Sequence, residues 1–508
     1  MNPITIHGPT PVRPPAPAAP DAPAKQIGLI AGVVLFLSVL ILPPPGTLTQ
    51  EAWVVAAVLA LMGCWWLTEA VPIPVTALLP LVLFPLLGIS TMQEAATPYA
   101  NEIIFLFMGS FFLAAGMEKW GVHRRFALAV MTRTGTSPRK LLFGFMAATA
   151  FVSMWINNTA TAAMMLPIAL ALGRMFQPPP DQGRGLGGSY NFGVALMLGI
   201  AYASSIGGVA TLIGTAPNVL FAAAASELLD IEVGFLEWLI VGLPVAATLL
   251  PLSWLVLVTL YPLEEPTGNA GDLLQAERAA LGVPSRGERY VTLVFVLTVL
   301  AWLTRVPKDL GFVTLPGLTL VFPEITDGTI ATLAALALFA WPLERRTGTV
   351  ALDWETASRI PWGVLLLFGG GLSLALGMSE SGLAAWIGGS VSGLAGAPVI
   401  VIVGATVALF VFLTEITSNT AVTAMAMPIT AGVAVALGLP PAALMAATAI
   451  SCSMAFMMPA GTPPNAIVFG SGYVSIGQMA WAGIWVNLAS VAVVTLAGTF
   501  VLPWLFGG

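Results

Sequence analysis

Long apolar segments constrain the fold of this chain more than any other feature. From Ile27 to the C-terminus, apolar runs of about 17 residues or more recur, with only short polar stretches between them. Such a run is about long enough to cross the hydrocarbon core of a bilayer. Because 57% of the 508 residues are hydrophobic and only 8% are charged, the sequence predicts an integral membrane protein without a soluble domain between its spans.

We predict an all-α polytopic fold with about eleven transmembrane helices. The expected spans cover residues 27–42, 52–70, 74–90, 102–118, 190–225 (interrupted), 234–261, 290–304, 311–341 (one span plus an apolar stretch), 362–379, 440–472 (interrupted) and 477–505. Two further apolar segments, at about 141–175 and 396–437, carry a polar triplet at mid-length. Since polar backbone exposed to lipid is disfavoured, we expect these two segments to form re-entrant hairpins.

The basic residues predict the orientation in the membrane. If the N-terminus is cytoplasmic and both hairpins are re-entrant, all of the 18 Lys and Arg residues except Arg305 and Lys308 lie on the cytoplasmic side. This arrangement obeys the positive-inside rule, whereas the reverse orientation violates it. We therefore expect a multi-pass protein of the cell's inner (plasma) membrane with a cytoplasmic N-terminus. Residues 1–24, rich in Pro and Ala, are expected to form a disordered tail.

The two halves of the chain resemble each other. At a shift of 261 positions, two separate blocks of the first half match the second half, namely 107–121 on 368–382 and 151–168 on 412–429. The motif GTAPN at 214–218 matches GTPPN at 461–465 at a shift of 247, because a Pro/Gly loop at 177–188 occurs only in the first half. Each half then holds an odd number of spans, so we predict an inverted repeat, the architecture of many secondary transporters.

Polar residues at the breaks have the chemistry of an ion site. The two predicted hairpin tips carry Asn157-Asn158-Thr159 and Ser418-Asn419-Thr420. A tip, or a helix broken at Gly-Thr-x-Pro-Asn, leaves backbone carbonyls and amides without partners in their own helix. Freed carbonyls, hydroxyls and amide oxygens suit an alkali cation, while the N-terminal ends of the following helices favour an anion. Two copies of each feature predict two cation sites that flank one anion site.

Two acidic residues, Glu69 and Glu415, lie at predicted membrane depth. An ionisable residue in this position is by default a functional hypothesis. We expect Glu69 to serve structurally at the end of a helix, and the sequence leaves the role of Glu415 open.

The rival classes are an intramembrane enzyme and a channel. The sequence contains no His-Glu-x-x-His, no phosphate-binding loop and no Cys/His cluster, so the chemistry of hydrolysis or ATP-driven pumping is missing. We expect no enzymatic activity, no organic cofactor and no nucleic-acid partner. A channel would need a continuous pore lined by charge or carbonyl rings, whereas the paired polar motifs favour a carrier.

The chain resembles the divalent anion:sodium symporter family, which contains bacterial and animal carriers of dicarboxylates and citrate. The resemblance covers nearly everything after the tail. Its most specific pieces are WWLTEAVPIPVTALLPL (65–81), SSIGGVATLIGTAPN (204–218), TEITSNTAVTAM (414–425) and PAGTPPNAIVFGSG (459–472).

The resemblance implies sodium-coupled uptake of a small dianion. Among such anions, the expected substrate is a C4-dicarboxylate such as succinate, malate or fumarate. A sodium-independent exchanger of the same fold, or a citrate or sulfate carrier, remains an open alternative. The implied substrate contacts are Asn157, Asn158, Thr159, Thr215, Ser418, Asn419, Thr420, Thr462 and Pro463. The implied sodium ligands are Ser153, Asn157, Asn158 and Gly214 at the first site, and Thr414, Ser418, Asn419 and Gly461 at the second. Asn157 stands where the family pattern has Ser.

The resemblance also implies a homodimer that works by an elevator mechanism in the lipid bilayer. A transport unit would carry the site across the membrane against a scaffold. By position, the scaffold would comprise residues 27–139 and 290–394, and the transport unit residues 140–262 and 395–508. A cytoplasmic loop at 263–289 would join the two halves.

Overall fold

The computed structural model describes residues 22–135, 137–175, 191–263, 270–309, 314–344 and 348–506. The predicted tail at 1–24 lies outside these residues except for its last three, which begin the first helix, and the Pro/Gly loop at 177–188 lies outside them entirely. The described chain is almost wholly helical. Its strands form two small antiparallel ribbons, β1 (Lys308–Asp309) with β2 (Thr314–Leu315), and β3 (Pro342–Glu344) with β4 (Thr349–Val350).

Twelve α-helices are described before residue 264 and twelve after it. The first set is α1 (Ala22–Ile41), α2 (Gln50–Thr68), α3 (Ile73–Thr76), α4 (Leu79–Leu86), α5 (Met92–Ala96), α6 (Glu102–Lys119), α7 (Val122–Thr134), α8 (Pro138–Ser153), α9 (Asn158–Met175), α10 (Asn191–Val209), α11 (Ala216–Leu229) and α12 (Phe235–Leu260). The second set is α13 (Ala270–Ala280), α14 (Arg286–Leu303), α15 (Asp327–Ala340), α16 (Trp354–Ala357), α17 (Trp362–Glu380), α18 (Leu383–Ser390), α19 (Val399–Leu413), α20 (Asn419–Ala436), α21 (Pro441–Ser451), α22 (Pro463–Phe469), α23 (Ile476–Leu496) and α24 (Leu502–Phe506). Short 3₁₀ turns occur at Thr97–Ala100, Leu318–Leu320 and Ser392–Leu394, and a π-helical stretch at Ala497–Val501 joins α23 to α24.

The apolar helices confirm an all-α polytopic membrane fold. Within the described residues, six helical stretches are individually long and apolar enough to cross a bilayer, and a bent pair, Met92–Ala100 with Glu102–Lys119, makes a seventh if it is one span. Other predicted spans are built from shorter apolar helices. The span at 74–90 is divided into α3 and α4 because prolines interrupt it, and the stretch at 311–341 is α-helical only from Asp327.

The outer surface of the molecule is apolar, as a lipid-facing surface must be. Leu86 is 75% exposed and Trp504 is 79% exposed, which is unfavourable in water but not in a bilayer. In contrast, α10 is the centre of the packed interior. Every residue from Phe192 to Val209 is buried, and the helix packs against α8, α9 and α12.

Helix breaks fall at equivalent positions in the two halves. The α8–α9 pair is interrupted before Asn158 and the α19–α20 pair before Asn419, which are matched by the shift of 261. The α10–α11 and α21–α22 pairs are interrupted before the Pro-Asn ends of their GTxPN motifs. Turns that precede the hairpin-like pairs also correspond, since Gly121 (φ 69°) and Gly382 (φ 81°) both adopt the left-handed conformation that glycine favours.

Glu69 ends α2 in the left-handed conformation, with φ 48° and ψ 33°. This placement agrees with the structural helix-end role expected for it.

Candidate functional site

Three oxygen atoms meet at the first tip, between α8 and α9. The Ser153 Oγ lies 2.8 Å from the Asn158 Oδ1 and 2.7 Å from the backbone O of Ser204 on α10. Ser153 is fully buried, and the contact exists because α8 packs directly against α10. The break between α8 and α9 is thereby tied to the turn of α10 that precedes the break in α10–α11.

The second tip repeats this arrangement. The Thr414 Oγ1 contacts both the Asn419 Oδ1 and the backbone O of Cys452, the latter at 2.9 Å. Thr414 is fully buried and occupies the position of Ser153 after the shift of 261. We call these two groups of atoms the first and second oxygen clusters.

Each oxygen cluster is short of hydrogen atoms. Its hydroxyl carries one hydrogen, while the other two oxygens, from an amide and a backbone carbonyl, are acceptors only. One hydrogen cannot satisfy two acceptors fully, so three partial negative charges lie close together in the protein interior. Such a set of hard oxygen ligands is suited to an alkali cation.

Two glycines let the backbone approach the first oxygen cluster. A Cβ atom on Gly208 would lie 2.3 Å from the Asn158 Oδ1, and a Cβ atom on Gly214 would lie 2.4 Å from the Gly208 O. A larger residue at either position would therefore displace the tip or the break. Of the four residues predicted for the first sodium site, the structure thus places Ser153, Asn158 and Gly214 close together, and their role as sodium ligands stays a prediction.

At the second site, Gly461 lies next to Glu415. A Cβ atom on Gly461 would be 3.2 Å from the backbone O and 3.2 Å from the Oε2 of Glu415. Since Glu415 directly follows Thr414, Gly461 is close to the second oxygen cluster.

Two asparagines that the sequence prediction did not assign hold the helix breaks. The Nδ2 of Asn218 donates to the Thr211 O at 2.8 Å and to the Gly208 O at 3.1 Å. The Nδ2 of Asn465 donates to the Met458 O at 2.9 Å and to the Ala455 O at 3.2 Å. Both side chains are fully buried.

These amides satisfy carbonyls that the broken helices leave free. The only sequence signal for this role is that Asn218 and Asn465 end the repeated GTxPN motif. Because each amide group is held through its nitrogen, its oxygen is fixed in the interior, and neither Oδ1 has a hydrogen-bond partner among the described residues.

Asn157 has a local role that its counterpart Ser418 does not share. The Asn157 Oδ1 accepts a hydrogen bond of 2.8 Å from the backbone N of Ala160, so this side chain caps the N-terminus of α9. Ser418 stands at the N-cap of α20 without a side-chain capping bond. The two tips are therefore alike in their oxygen clusters but differ in how the following helix begins.

The remaining predicted substrate residues lie at the starts of helices. Thr159 is exposed and Thr420 half-buried in the first turns of α9 and α20. Thr215 is the N-cap of α11 and Thr462 the N-cap of α22, where the Thr462 Oγ1 accepts from the Asn465 N at 3.4 Å. Pro463 follows and is exposed. These residues lie at the same breaks as the oxygen clusters.

A polytopic helical fold with broken helices and oxygen clusters inside it is that of a membrane transporter. Residues 23–507 match the family model described as the sodium:sulfate symporter transmembrane region. The chain belongs to this family, which confirms the resemblance found in its motifs.

Two relatives agree with this assignment. A sodium-dependent dicarboxylate transporter, SdcS, of Staphylococcus aureus (strain bovine RF122 / ET3-1) is 41% identical over 489 residues, which cover 95% of this chain and 92% of the relative. The SdcS of Staphylococcus saprophyticus is 40% identical over 488 residues, with the same coverage of 95% and 92%. Because these relatives are named as transporters, the expectation that the protein is not an enzyme is confirmed.

The fold is also similar to the crystal structure of the YdaH transporter of Alcanivorax borkumensis. The TM-score is 0.52 at 15% sequence identity, and the match covers 83% of this chain and 89% of that one. At this identity the similarity concerns the fold alone.

Proposed function

We propose that the protein is a secondary transporter that couples the inward movement of a small dianion to sodium. The expected substrate is a C4-dicarboxylate such as succinate, malate or fumarate. The two hydrogen-deficient oxygen clusters are the observation that carries this proposal, because sodium is the coupling ion to which such ligands are suited. The sodium-dependent dicarboxylate transporters among the relatives support the choice of ion and substrate.

Sodium at the first site would be held by oxygen atoms of Ser153, Asn158 and the neighbouring backbone, with Gly214 beside them. The second site would use Thr414, Asn419 and the backbone near Gly461. The amide groups of Asn158 and Asn419 offer a direct means of coupling. Each places its Oδ1 in an oxygen cluster, whereas its Nδ2 has no acceptor among the described residues and is available to a substrate carboxylate.

Coupling then follows from charge. A dianion that enters the protein interior alone carries a large desolvation cost. Two sodium ions in the adjacent oxygen clusters would neutralise the dianion, so ions and substrate bind better together than separately. The helix N-termini at α9 and α20 add N–H groups and positive dipole ends on the side of the anion.

Proteoliposomes with purified protein test the proposal. We expect labelled succinate to accumulate when sodium is present outside, without any dicarboxylate inside. Uptake that needs internal dicarboxylate and ignores sodium would instead identify an exchanger. If succinate, malate, fumarate, citrate and sulfate are neither bound nor moved, the proposed function is wrong.

Asn157 provides a test specific to this chain, because it replaces the Ser of the family pattern. We expect Asn157→Ser to remain active with a shifted sodium dependence, since a hydroxyl can still cap α9 and offer an oxygen to the ion. We expect Asn157→Leu to lose sodium-coupled uptake, because it has no polar atom and removes a cap that contributes about 1 kcal/mol. The sodium concentration for half-maximal uptake is the measurement.

Asn157→Asp is the companion variant, because it keeps the capping oxygen and adds a negative charge, so we expect it to fold normally and to need less sodium for half-maximal uptake. An unchanged sodium response in Asn157→Leu would limit the side chain to capping. Sodium at the first site would then depend on Ser153, Asn158 and backbone carbonyls.

We also propose an elevator movement, in which residues 140–262 and 395–508 move together against a scaffold of residues 27–139 and 290–394. The scaffold would form a homodimer in the plasma membrane, with the N-terminus in the cytoplasm. Equivalent helix breaks and hydrogen bonds in the two halves support the inverted repeat on which this scheme depends.

Two hydrogen bonds are examples of contacts between these proposed units that must break if the units slide past each other. The Asp327 Oδ2 accepts from the Phe235 N at 2.7 Å, and the Asn101 Nδ2 donates to the Glu227 Oε2 at 3.2 Å. Asp327 and Asn101 belong to the proposed scaffold, and Phe235 and Glu227 to the proposed transport unit.

Cross-linking between the proposed units should stop transport. We expect cysteines at Asn101 and Glu227, joined by a short thiol reagent, to abolish uptake until the link is reduced. Both cysteines are introduced into the Cys64→Ala protein, so that Cys64 cannot react with the reagent. The other native cysteine, Cys452, is fully buried and out of the reagent's reach. The control pair is Lys119 and Asp353, which form an ion pair within the scaffold and should be cross-linked without loss. Full uptake by the linked 101–227 pair would contradict a moving unit.

A further inference from the structure

Glu415 is an acidic residue in the packed interior, and its carboxylate accepts several hydrogen bonds. It is only 4% exposed. Its Oε1 accepts from the Phe456 N at 2.6 Å, the Met457 N at 3.0 Å and the Asn487 Nδ2 at 2.7 Å. Its Oε2 accepts from the Met457 N at 3.0 Å and the Met458 N at 3.0 Å. Three successive backbone N–H groups at the second break thus surround one side chain.

The hydrogen-bond partners of Glu415 are those that suit an ionised carboxylate. A protonated carboxyl group would carry a hydrogen on one of its oxygens and would need an acceptor for it. All partners of both oxygens are N–H donors, so a proton on either oxygen would meet another hydrogen. The side chain therefore brings a full negative charge into the interior.

The described residues give this charge no basic partner. Their ion pairs are Lys119–Asp353, Arg124–Glu277, Arg125–Glu288, Arg305–Asp327 and Arg359–Glu355. The N–H groups around Glu415 carry partial charges only. A buried carboxylate without a counter-charge is costly, and a cation bound nearby would lower that cost.

Such a cation site lies beside Glu415. Thr414, the preceding residue, supplies the hydroxyl of the second oxygen cluster. Gly461, a predicted sodium ligand, lies so close to Glu415 that an added Cβ atom would be 3.2 Å from its Oε2. The carboxylate oxygens are fully engaged by N–H groups, so Glu415 would act on the ion through its charge.

The first oxygen cluster lacks this charge. At a shift of 261 positions, the residue that corresponds to Glu415 is Met154. Its backbone O accepts from the Thr211 Oγ1, and its side chain is neutral. The two cation sites are therefore equivalent in their oxygen clusters and unequal in their electrostatics.

We propose that Glu415 is a positioning residue for sodium, whose fixed charge makes the second site the tighter of the two and the first to be occupied. This inference rests on the proposed sodium coupling and extends it by assigning an order to the two ions. Three backbone N–H groups hold this carboxylate in place, and Asn487 donates one further hydrogen bond from α23 without adding charge.

Sodium binding to variants tests this role. In Glu415→Gln, we expect the sodium concentration for half-maximal uptake to rise about tenfold or more, as the loss of an opposite charge within a few ångströms implies. The sodium-dependent rise of the unfolding temperature, measured in detergent without substrate, should shrink in parallel. Met154→Leu, the matched change in the first half, should leave both quantities as in the unmodified protein.

Asn487→Ala separates charge from structure. It removes one donor but keeps the carboxylate, so we expect a lower unfolding temperature with an unchanged sodium dependence. A normal sodium dependence in folded Glu415→Gln would overturn the proposal. If Glu415→Gln does not fold, a strongly weakened sodium response in Asn487→Ala would overturn it instead. If sodium neither raises the unfolding temperature of the unmodified protein nor drives its uptake of substrate, the proposed function itself is wrong.

Discussion

Asn218→Asp and Asn465→Asp should each prevent the formation of a stable, active transporter. The change keeps the shape of the side chain but replaces its donor nitrogen by an oxygen. In the first half this oxygen would face the Thr211 O and the Gly208 O, which now receive hydrogen bonds of 2.8 and 3.1 Å. Each buried carbonyl left without a donor costs about 1–3 kcal/mol, and repulsion between oxygens adds to that cost.

The total is a substantial fraction of the stability of a folded protein. Two unsatisfied carbonyls correspond to roughly 2–6 kcal/mol, while folded domains are stable by about 5–15 kcal/mol. We therefore expect little monodisperse protein on size-exclusion chromatography and an uptake rate at least about a hundredfold lower. Unfolding temperature, monodispersity and succinate uptake are the measurements.

Asn191→Asp is the matched control for these variants. It makes the same chemical change at the start of α10, where the Nδ2 donates to the Pro262 O at 3.0 Å near the surface. Water can replace that donor, so we expect the unfolding temperature to change little. Normal folding and uptake in Asn218→Asp would show that the freed carbonyls do not depend on the amide.

The repeated motifs made much of this architecture predictable. The shift of 261 located the helix breaks before Asn158 and Asn419, and the shift of 247 located the breaks at the two GTxPN motifs, from residue identities alone. Hydroxyl and amide residues at such breaks predicted cation chemistry because they recur at equivalent positions of the two halves, which interhelical hydrogen bonding alone does not require. The apolar runs likewise predicted a helical membrane protein, since a helix satisfies its own backbone in lipid.

Contacts across the fold could not be predicted in the same way. The bond from Ser153 to the Ser204 O depends on how α8 packs against α10, which no local pattern specifies. The capping bond of Asn157 was missed because its position suggested a ligand. Glu415 was recognised as unusual, but its backbone partners lie 41 to 43 residues further along the chain. They come within reach only when α21 breaks.

The predicted boundaries of two spans were wrong for a more local reason. The apolar run at 74–90 looked like one helix, but Pro80 lacks the N–H that a continuous helix needs and lies in the first turn of a new helix. The chain forms α3 and α4 instead. The run at 311–341 is mostly apolar, yet its described residues before α15 form strand β2 and a 3₁₀ turn.

Asn158→Ala and Asn419→Ala should each cripple transport while the protein stays folded. Each variant removes an Oδ1 from an oxygen cluster and the Nδ2 that we assign to the substrate carboxylate. A lost hydrogen bond to a charged group costs roughly 1.5–3 kcal/mol. At about 1.4 kcal/mol per decade, this corresponds to a ten- to hundredfold loss of affinity. Substrate and sodium affinities should fall together, because one side chain serves both.

The joint loss distinguishes coupling from a structural role. Asn158 and Asn419 are half-buried, so alanine at either position leaves a space that water can fill, and the unfolding temperature without ligands should change little. Thr248→Ala is the control, because Thr248 is an exposed residue of α12 whose hydroxyl donates to the Pro244 O in its own helix. A normal succinate affinity in either Asn variant would place that residue among the helix-packing polar groups. If only the sodium affinity falls, the proposed sodium site stands, but the amide does not link the ion to the anion.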